Sequence, residues 1–268
     1  MTDRVTVKGI LNRKQKERKK IVVLTAYDFP FAKLVDESGV DIVLVGDSVG
    51  MVCLGYDSTL PVTMREMLHH VKAVNRAVRH ALIVADMPFG SYQGVQAALR
   101  NARRFLKEGG AHAVKLEGGK RVLTEVQALI RAGIPVMGHL GMTPQTASEL
   151  GGYKVQGKTK KEQERIFSEA RELEKAGVFS IVLECVPNSL AKRISKALKI
   201  PTIGIGAGPG TDGQVLVLHD LLGFESSVQP RFVRRYAHLS AVIRRALASY
   251  RQDVLAGKFP AIEESFKG

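Results

Sequence analysis

Four times in this chain a helix-like segment closes on glycine and an apolar run follows at once: ESGVDIVLVGDS, KEGGAHAVKLEGG, RAGIPVMGHLG and KAGVFSIVLECVP. A glycine just past a helix accepts the left-handed backbone that ends it, and charged side chains occupy the turn before. Gly39, Gly109, Gly133 and Gly177 are expected in that position. The runs that follow are dense in Val, Ile and Leu and alternate little, as parallel strands covered on both faces do.

Collecting every such run gives eight, at 21–28, 41–48, 81–89, 111–119, 135–144, 180–187, 201–208 and 214–220. Amphipathic stretches separate most of them. In PVTMREMLHHVKAVNRAV, Thr63 and Glu66 form a capping box, and Met67, Val71, Val74 and Val78 recur at helical spacing. KKEQERIFSEARELEKAG places Ile166, Ala170 and Leu173 on one face, and NSLAKRISKALKI is similar. Only PGTDG, between the last two runs, is too short for a helix. Eight strands alternating with helices predict an α/β fold, a (β/α)8 TIM barrel, with a doubly wound open sheet as the alternative. At 268 residues the chain has the usual size of one barrel, and residues 1–268 are expected to form a single domain. Its N-terminal segment is basic, and 230–257 reads as a long helix, either the last of the barrel or an oligomer contact.

The formal net charge of +14 invites a nucleic-acid reading. Against it, the basic residues are spread over many segments and Trp is absent, so a solvated basic surface is expected and no nucleic acid. No apolar run approaches the roughly 20 residues of a membrane span, and no secretory signal opens the chain. Cys53 and Cys185, far apart, suggest neither a disulfide nor a zinc site. Cytoplasmic location is the expectation.

In a barrel the chemistry sits at the C-terminal ends of the strands. Those ends supply Thr25, Tyr27 and Asp28; Asp47 and Ser48; Asp86; Lys115 and Glu117; His139; and Glu184. Asp47 and Asp86 end neighbouring strands at the same offset, so their carboxylates can converge, and like charges brought close need a cation or proton between them. A hard cation such as Mg²⁺ fits, with Glu117 one strand over; a helix cap is the alternative for either aspartate alone. Lys115 lies inside a buried run and must meet an anion, either a neighbouring acid or a bound carboxylate. Glu184 suits a general base or a structural salt bridge. His139 suits a ligand or a satisfied polar residue. Cys185 points away from Glu184 and reads as core, while His69, His70 and His80 read as surface. GIGAGPGTDG does not match the dinucleotide fingerprint.

These stretches resemble the ketopantoate hydroxymethyltransferase family. The resemblance is carried in order, over residues 21–222, by LTAYDFPFAKLVDESGVDIVLVGDSVGMV, GYDSTLPVT, ADMPFGSY, VKLEGG, VMGHLGMTPQ, GGYKVQGKT, LECVP, IPTIGIGAG and TDGQVLVLHD. It implies a barrel of the phosphoenolpyruvate/pyruvate type, one Mg²⁺ per subunit and 5,10-methylenetetrahydrofolate as co-substrate. The implied reaction gives 2-dehydropantoate (ketopantoate) from 3-methyl-2-oxobutanoate, through an enolate the metal stabilises, in pantothenate and coenzyme A biosynthesis. The family's metal residues fall on Asp47, Asp86 and Glu117, its 2-oxo acid contacts on Asp47, Ser48, Asp86 and Lys115, and its proton acceptor on Glu184; His139, taken from its strand end and not from the family, is expected behind them. It also implies a homo-oligomer, often a decamer. Related lyases and mutases usually carry a KKCGH-like loop, which this chain lacks.

Overall fold

The structure is a computed structural model describing residues 4–147, 149, 151–152, 154–224 and 230–266. It divides into two compact units, Met1–Val217 and Leu218–Gly268.

Eight strands form the first unit: β1 Ile21–Thr25, β2 Ile42–Val45, β3 Leu82–Asp86, β4 Ala113–Glu117, β5 Val136–Gly141, β6 Ser180–Glu184, β7 Thr202–Ile205 and β8 Gly213–Leu216. All neighbours are parallel and in sequence order, and β8 pairs with β1 (Ile21 opposite Gly213, Val23 opposite Val215). That last pairing closes the barrel and rules out the open sheet. Its helices are α1 Val7–Asn12, α2 Phe29–Glu37, α3 Val49–Val52, α4 Met64–Ala77, α5 Val95–Arg104, α6 Leu123–Arg131, α7 Lys160–Ala176 and α8 Asn188–Ala197. No helix joins β7 to β8; the link is held by Asp212, whose Oδ2 accepts from the Thr202 backbone N–H (2.8 Å) and hydroxyl (2.9 Å).

The Thr63–Glu66 capping box starts α4, which buries Met67, Val71 and Val74, and α7 buries Ile166, Ala170 and Leu173. One glycine departs from expectation. Gly39, Gly133 and Gly177 have φ of 79°, 76° and 100°, but in the KEGG stretch Gly110 takes the left-handed position (φ 77°). A π-turn over Phe105–Gly109 lengthens α5 by part of a turn, and Gly109 packs where a Cβ would stand 2.8 Å from Val71 Cγ1.

The basic N-terminal segment is not a plain solvated surface. Ile10, on α1, is fully buried in the cluster that fills the barrel, with Ile21, Val23, Ile42, Leu82, Val84, Met137, Ile203 and Val215. Arg13 pairs with Asp41 at 2.9 Å, just before β2. Lys14 Nζ donates to Asp212 Oδ2 (2.8 Å) and to the carbonyls of Ser195 (2.6 Å) and Ile200 (2.9 Å). This segment therefore plugs the N-terminal end of the barrel.

In the second unit, α9 spans Leu218–Leu222 and α10 spans Leu239–Leu255. The long helix expected over 230–257 starts only at Leu239. Before it, the Val233 N–H closes a three-residue turn on the Pro230 carbonyl and the Tyr236 N–H donates to the distant Leu221 carbonyl, so no α-helical ladder forms among the described residues there. Among the described residues, no helix is long and apolar enough to cross a membrane.

Candidate active site

The barrel register aligns the polar strand ends. Asp86 lies opposite Lys115, Glu117 opposite His139, and Gly141 opposite Glu184. Asp47 follows β2 by two residues, and its backbone N–H points to Asp86 Oδ2 at 3.4 Å. One contiguous polar cluster results, held in a sheath of Val, Ile and Leu.

Lys115 Nζ lies 2.7 and 2.6 Å from the two oxygens of Asp86 and 3.4 Å from Glu117 Oε1. Burial opposes its charge, but Asp86, Glu117 and Asp47 together outweigh that and raise its pKa. Glu117 Oε1 also lies 3.2 Å from His139 Nδ1, and its Oε2 accepts from the Gln145 backbone N–H at 3.0 Å. Burial would raise the Glu117 carboxyl; Lys115 and His139 prevail and hold it down at about 2. For His139, burial and Lys115 push downward, yet Glu117 and Glu184 prevail and carry it to about 9. It is an imidazolium at neutral pH. Its Nε2 stands 3.2 Å from Glu184 Oε2, inside ion-pair range but outside hydrogen-bond alignment.

Asp47 differs. Burial first, then the charges of Asp86 and Glu117, raises its pKa well above the usual carboxylate range. Asp86 is raised as well by burial, while Lys115 pulls it back. Because an ammonium can only donate and touches both of its oxygens, Asp86 is the paired anion and Asp47 the strained one. Oxygens of Asp47, Asp86 and Glu117 lie within 4.8 Å of one another. With the acids ionised, Asp47, Asp86, Glu117 and Glu184 carry four negative charges against two positive on Lys115 and His139. Three converging hard oxygen donors and a surplus of two negative charges fit a hard divalent cation.

Other candidates fall elsewhere. Ser48 Oγ hydrogen-bonds Tyr27 Oη at 2.8 Å beside Asp47. Asp28 caps α2, its Oδ1 accepting from the Phe31 N–H at 2.8 Å. His139 is no member of the carboxylate triad; it bridges Glu117 and Glu184. Cys185 is half-buried, and burial first, then Glu184, pushes its thiol up to about 12, so it is no nucleophile. His70 Nδ1 meets the Tyr27 carbonyl oxygen at 2.7 Å.

Sequence reasoning missed Gln145 and Tyr92. Gln145 Nε2 donates to Asp47 Oδ2 (2.8 Å) and to the Met87 carbonyl (2.9 Å), and Tyr92 Oη donates to Gln145 Oε1 (2.5 Å). Gln145 lies in a short 3₁₀ turn, Pro144–Thr146, within GHLGMTPQ, and Tyr92 in the loop of ADMPFGSY, where no periodicity marks them.

The fold defines a class first. Similar solved structures include a phosphonopyruvate hydrolase in complex with oxalate and Mg++ (TM-score 0.64, 14% identity, 97% of this chain and 93% of that one). Another is a 2,3-dimethylmalate lyase, a member of the PEP mutase/isocitrate lyase superfamily (TM-score 0.64, 16% identity, 98% and 89% covered). At such identities the likeness is one of fold, and the protein is a (β/α)8 barrel. Sequence goes further. The profile of the family described as ketopantoate hydroxymethyltransferase matches residues 4–262. The 3-methyl-2-oxobutanoate hydroxymethyltransferase of Moorella thermoacetica is 59% identical over 254 residues, covering 94% of each chain. That of Heliobacterium modesticaldum is 57% identical, covering 94% of this chain and 92% of its own. The chain belongs to the ketopantoate hydroxymethyltransferase family.

Proposed function

We propose that the protein adds a hydroxymethyl group to C3 of 3-methyl-2-oxobutanoate to give ketopantoate for pantothenate biosynthesis. 5,10-Methylenetetrahydrofolate is the one-carbon donor, water supplies the hydroxyl oxygen and tetrahydrofolate leaves. The observation that carries the reading is the buried triad of Asp47, Asp86 and Glu117 beside one lysine and one partly open glutamate. Mg²⁺ held by the triad would supply Lewis-acid polarisation of the ketone.

Glu184 is the base. Its side chain is 13% exposed where the triad's neighbours are nearly sealed, so substrate can reach it. It removes the C3 proton, and the electron pair left on C3 forms the new C–C bond to the donor's methylene carbon. Lys115 and Ser48 orient the oxo acid; the lysine's charge is fixed by its acidic neighbours, and its three donors, directed to Asp86 and Glu117, turn in part to a bound carboxylate. His139 keeps a positive charge beside Glu184 and Glu117. A homo-oligomer, a decamer by family likeness, finds support in α10, which exposes Leu247, Tyr250 and Leu255; sedimentation tests it.

The test is Mg²⁺-dependent ketopantoate formation from the two substrates, with C3 proton exchange in D2O followed by NMR. Glu184→Gln should retain binding of the oxo acid and lose exchange. Exchange at the wild-type rate in that variant removes Glu184 as the base, and product formation unaffected by chelator removes the metal.

A further inference from the structure

The three carboxylates of the triad are not held alike. Asp86 and Glu117 are gripped by Lys115, and Glu117 also by His139. Asp47 is held instead by Gln145, from the loop after β5, 98 residues along the chain. We propose that Gln145 is a positioning residue that sets the separation of Asp47 and Glu117, and that Tyr92 acts through it. The proposal rests on the metal reading above.

The bonding leaves Gln145 one orientation. Asp47 Oδ2 and the Met87 carbonyl are acceptors, so the amide nitrogen must face them and both its hydrogens are used. The amide oxygen then faces Tyr92, whose hydroxyl must donate. The backbone N–H of Gln145 donates to Glu117 Oε2 at 3.0 Å. One residue, 2% exposed, thus touches an acid from β4 with its main chain and the acid after β2 with its side chain. Asp86, on β3, stands between these two in the barrel order. Turning the amide over would set its oxygen against two acceptors and leave the tyrosine only its long contact with the Glu117 carbonyl (3.4 Å), so the spacing is locked rather than adjustable.

This arrangement does more than tie a loop down. Loop anchoring needs only the Met87 carbonyl and Tyr92. A donor to each outer carboxylate, from one rigid residue, fixes where two of three metal oxygens stand. Partners of this kind, hydrogen-bonded to ligands rather than to the ion, typically contribute about 10–100-fold in metal affinity.

The test is calorimetric titration of Mg²⁺ alone into the full-length protein, with melting in chelator as a control. Gln145→Met keeps length and the backbone N–H and loses both side-chain donors. Its Mg²⁺ Kd should rise about 10–100-fold. Tyr92→Phe, one oxygen smaller, should raise Kd by a lesser factor, and in the Gln145→Met background it should add little, since its short bond (2.5 Å) is to the amide and its contact with the Glu117 carbonyl is long (3.4 Å). If Gln145→Met does not fold, Tyr92→Phe carries the test. Unchanged Kd in the folded single variants, or a lowered melting temperature with Kd unchanged, assigns these residues to plain structure and overturns the proposal. Two effects that multiply overturn the coupling. If the wild-type protein itself binds no Mg²⁺, the metal reading falls and this inference with it; if it binds and the variants match it, only this inference falls.

Discussion

Replacing Lys115 with methionine puts the charge arrangement of the barrel mouth to a direct test. The ammonium contacts both oxygens of Asp86 at 2.7 and 2.6 Å. The lysine side chain is 4% exposed and that of Asp86 3%, so water cannot take its place. Removing one partner of a buried pair costs about 3–5 kcal/mol, because the other charge stays buried without compensation. Methionine matches the lysine stem in length, so little of the loss comes from a cavity. For a chain of this size about 1 kcal/mol moves the melting temperature by about 2–4 °C, which puts the drop on the order of 10 °C. The double variant Lys115→Met/Asp86→Leu removes the stranded anion as well and should recover most of that loss. The assay is calorimetric melting at neutral pH in chelator, so that no metal substitutes for the missing cation. A single variant melting within about 2 °C of wild type, or a double variant melting no higher than the single one, refutes the reasoning.

His139 has a folded pKa near 9, above its ordinary 6.5; a raised pKa contributes stability that is complete below the unfolded value and lost as pH climbs through the folded one. The window is therefore about pH 6.5 to 9, the magnitude on the order of 3 kcal/mol. The stability gap between wild type and His139→Asn in metal-free buffer should shrink by that amount across it, and a gap independent of pH contradicts the assignment. Gly141→Ala should cost about 1–3 kcal/mol, since Gly141 has φ 99° and a Cβ there would run into the Glu184 carbonyl; kcat should fall more than KM changes, and an unchanged kcat would show that the base is held by something else. Ile10→Ala should cost about 2–5 kcal/mol in urea unfolding, and a loss below about 1 kcal/mol would mean that α1 does not seal the barrel.

How much of this could be read beforehand depended on whether a residue's partners were local. Strands announce themselves by composition, so all eight were legible, and so was the idea that Asp47, Asp86, Lys115, Glu117, His139 and Glu184 share one end. Strand order makes β3 and β4 neighbours, and the register then sets Asp86 opposite Lys115. Asp28 was not separable from Asp47, because a cap and a ligand look alike at a strand end. Gln145 carried no signal because its value lies in Asp47 and Met87, 98 and 58 residues away. Gly109 and Gly110 were ambiguous because either glycine tolerates the turn, and the choice fell to Val71 packing from α4. The N-terminal plug was hidden by its charge, since Lys14 is indistinguishable in sequence from any solvated lysine.

The two ends of the barrel differ in how their buried charges balance, and this explains why one end is floor and the other is site. At the N-terminal end, Arg13 meets Asp41 and Lys14 meets Asp212, one cation for each acid. The remaining donors of Lys14 are used on two carbonyls, and Asp212 accepts from Thr202. Every Lys14 donor is thus used, and Ile10 fills the space. At the C-terminal end four carboxylates face two cations. Burying such a surplus is unfavourable in the protein alone, and it is concentrated on Asp47, whose pKa is raised furthest from its ionised preference. Stability alone would replace one of these acids with an apolar side chain. A converging set of oxygens, each with its orientation fixed by Lys115, His139 or Gln145, is what the proposed divalent ion would complete, supplying the two positive charges that this end lacks.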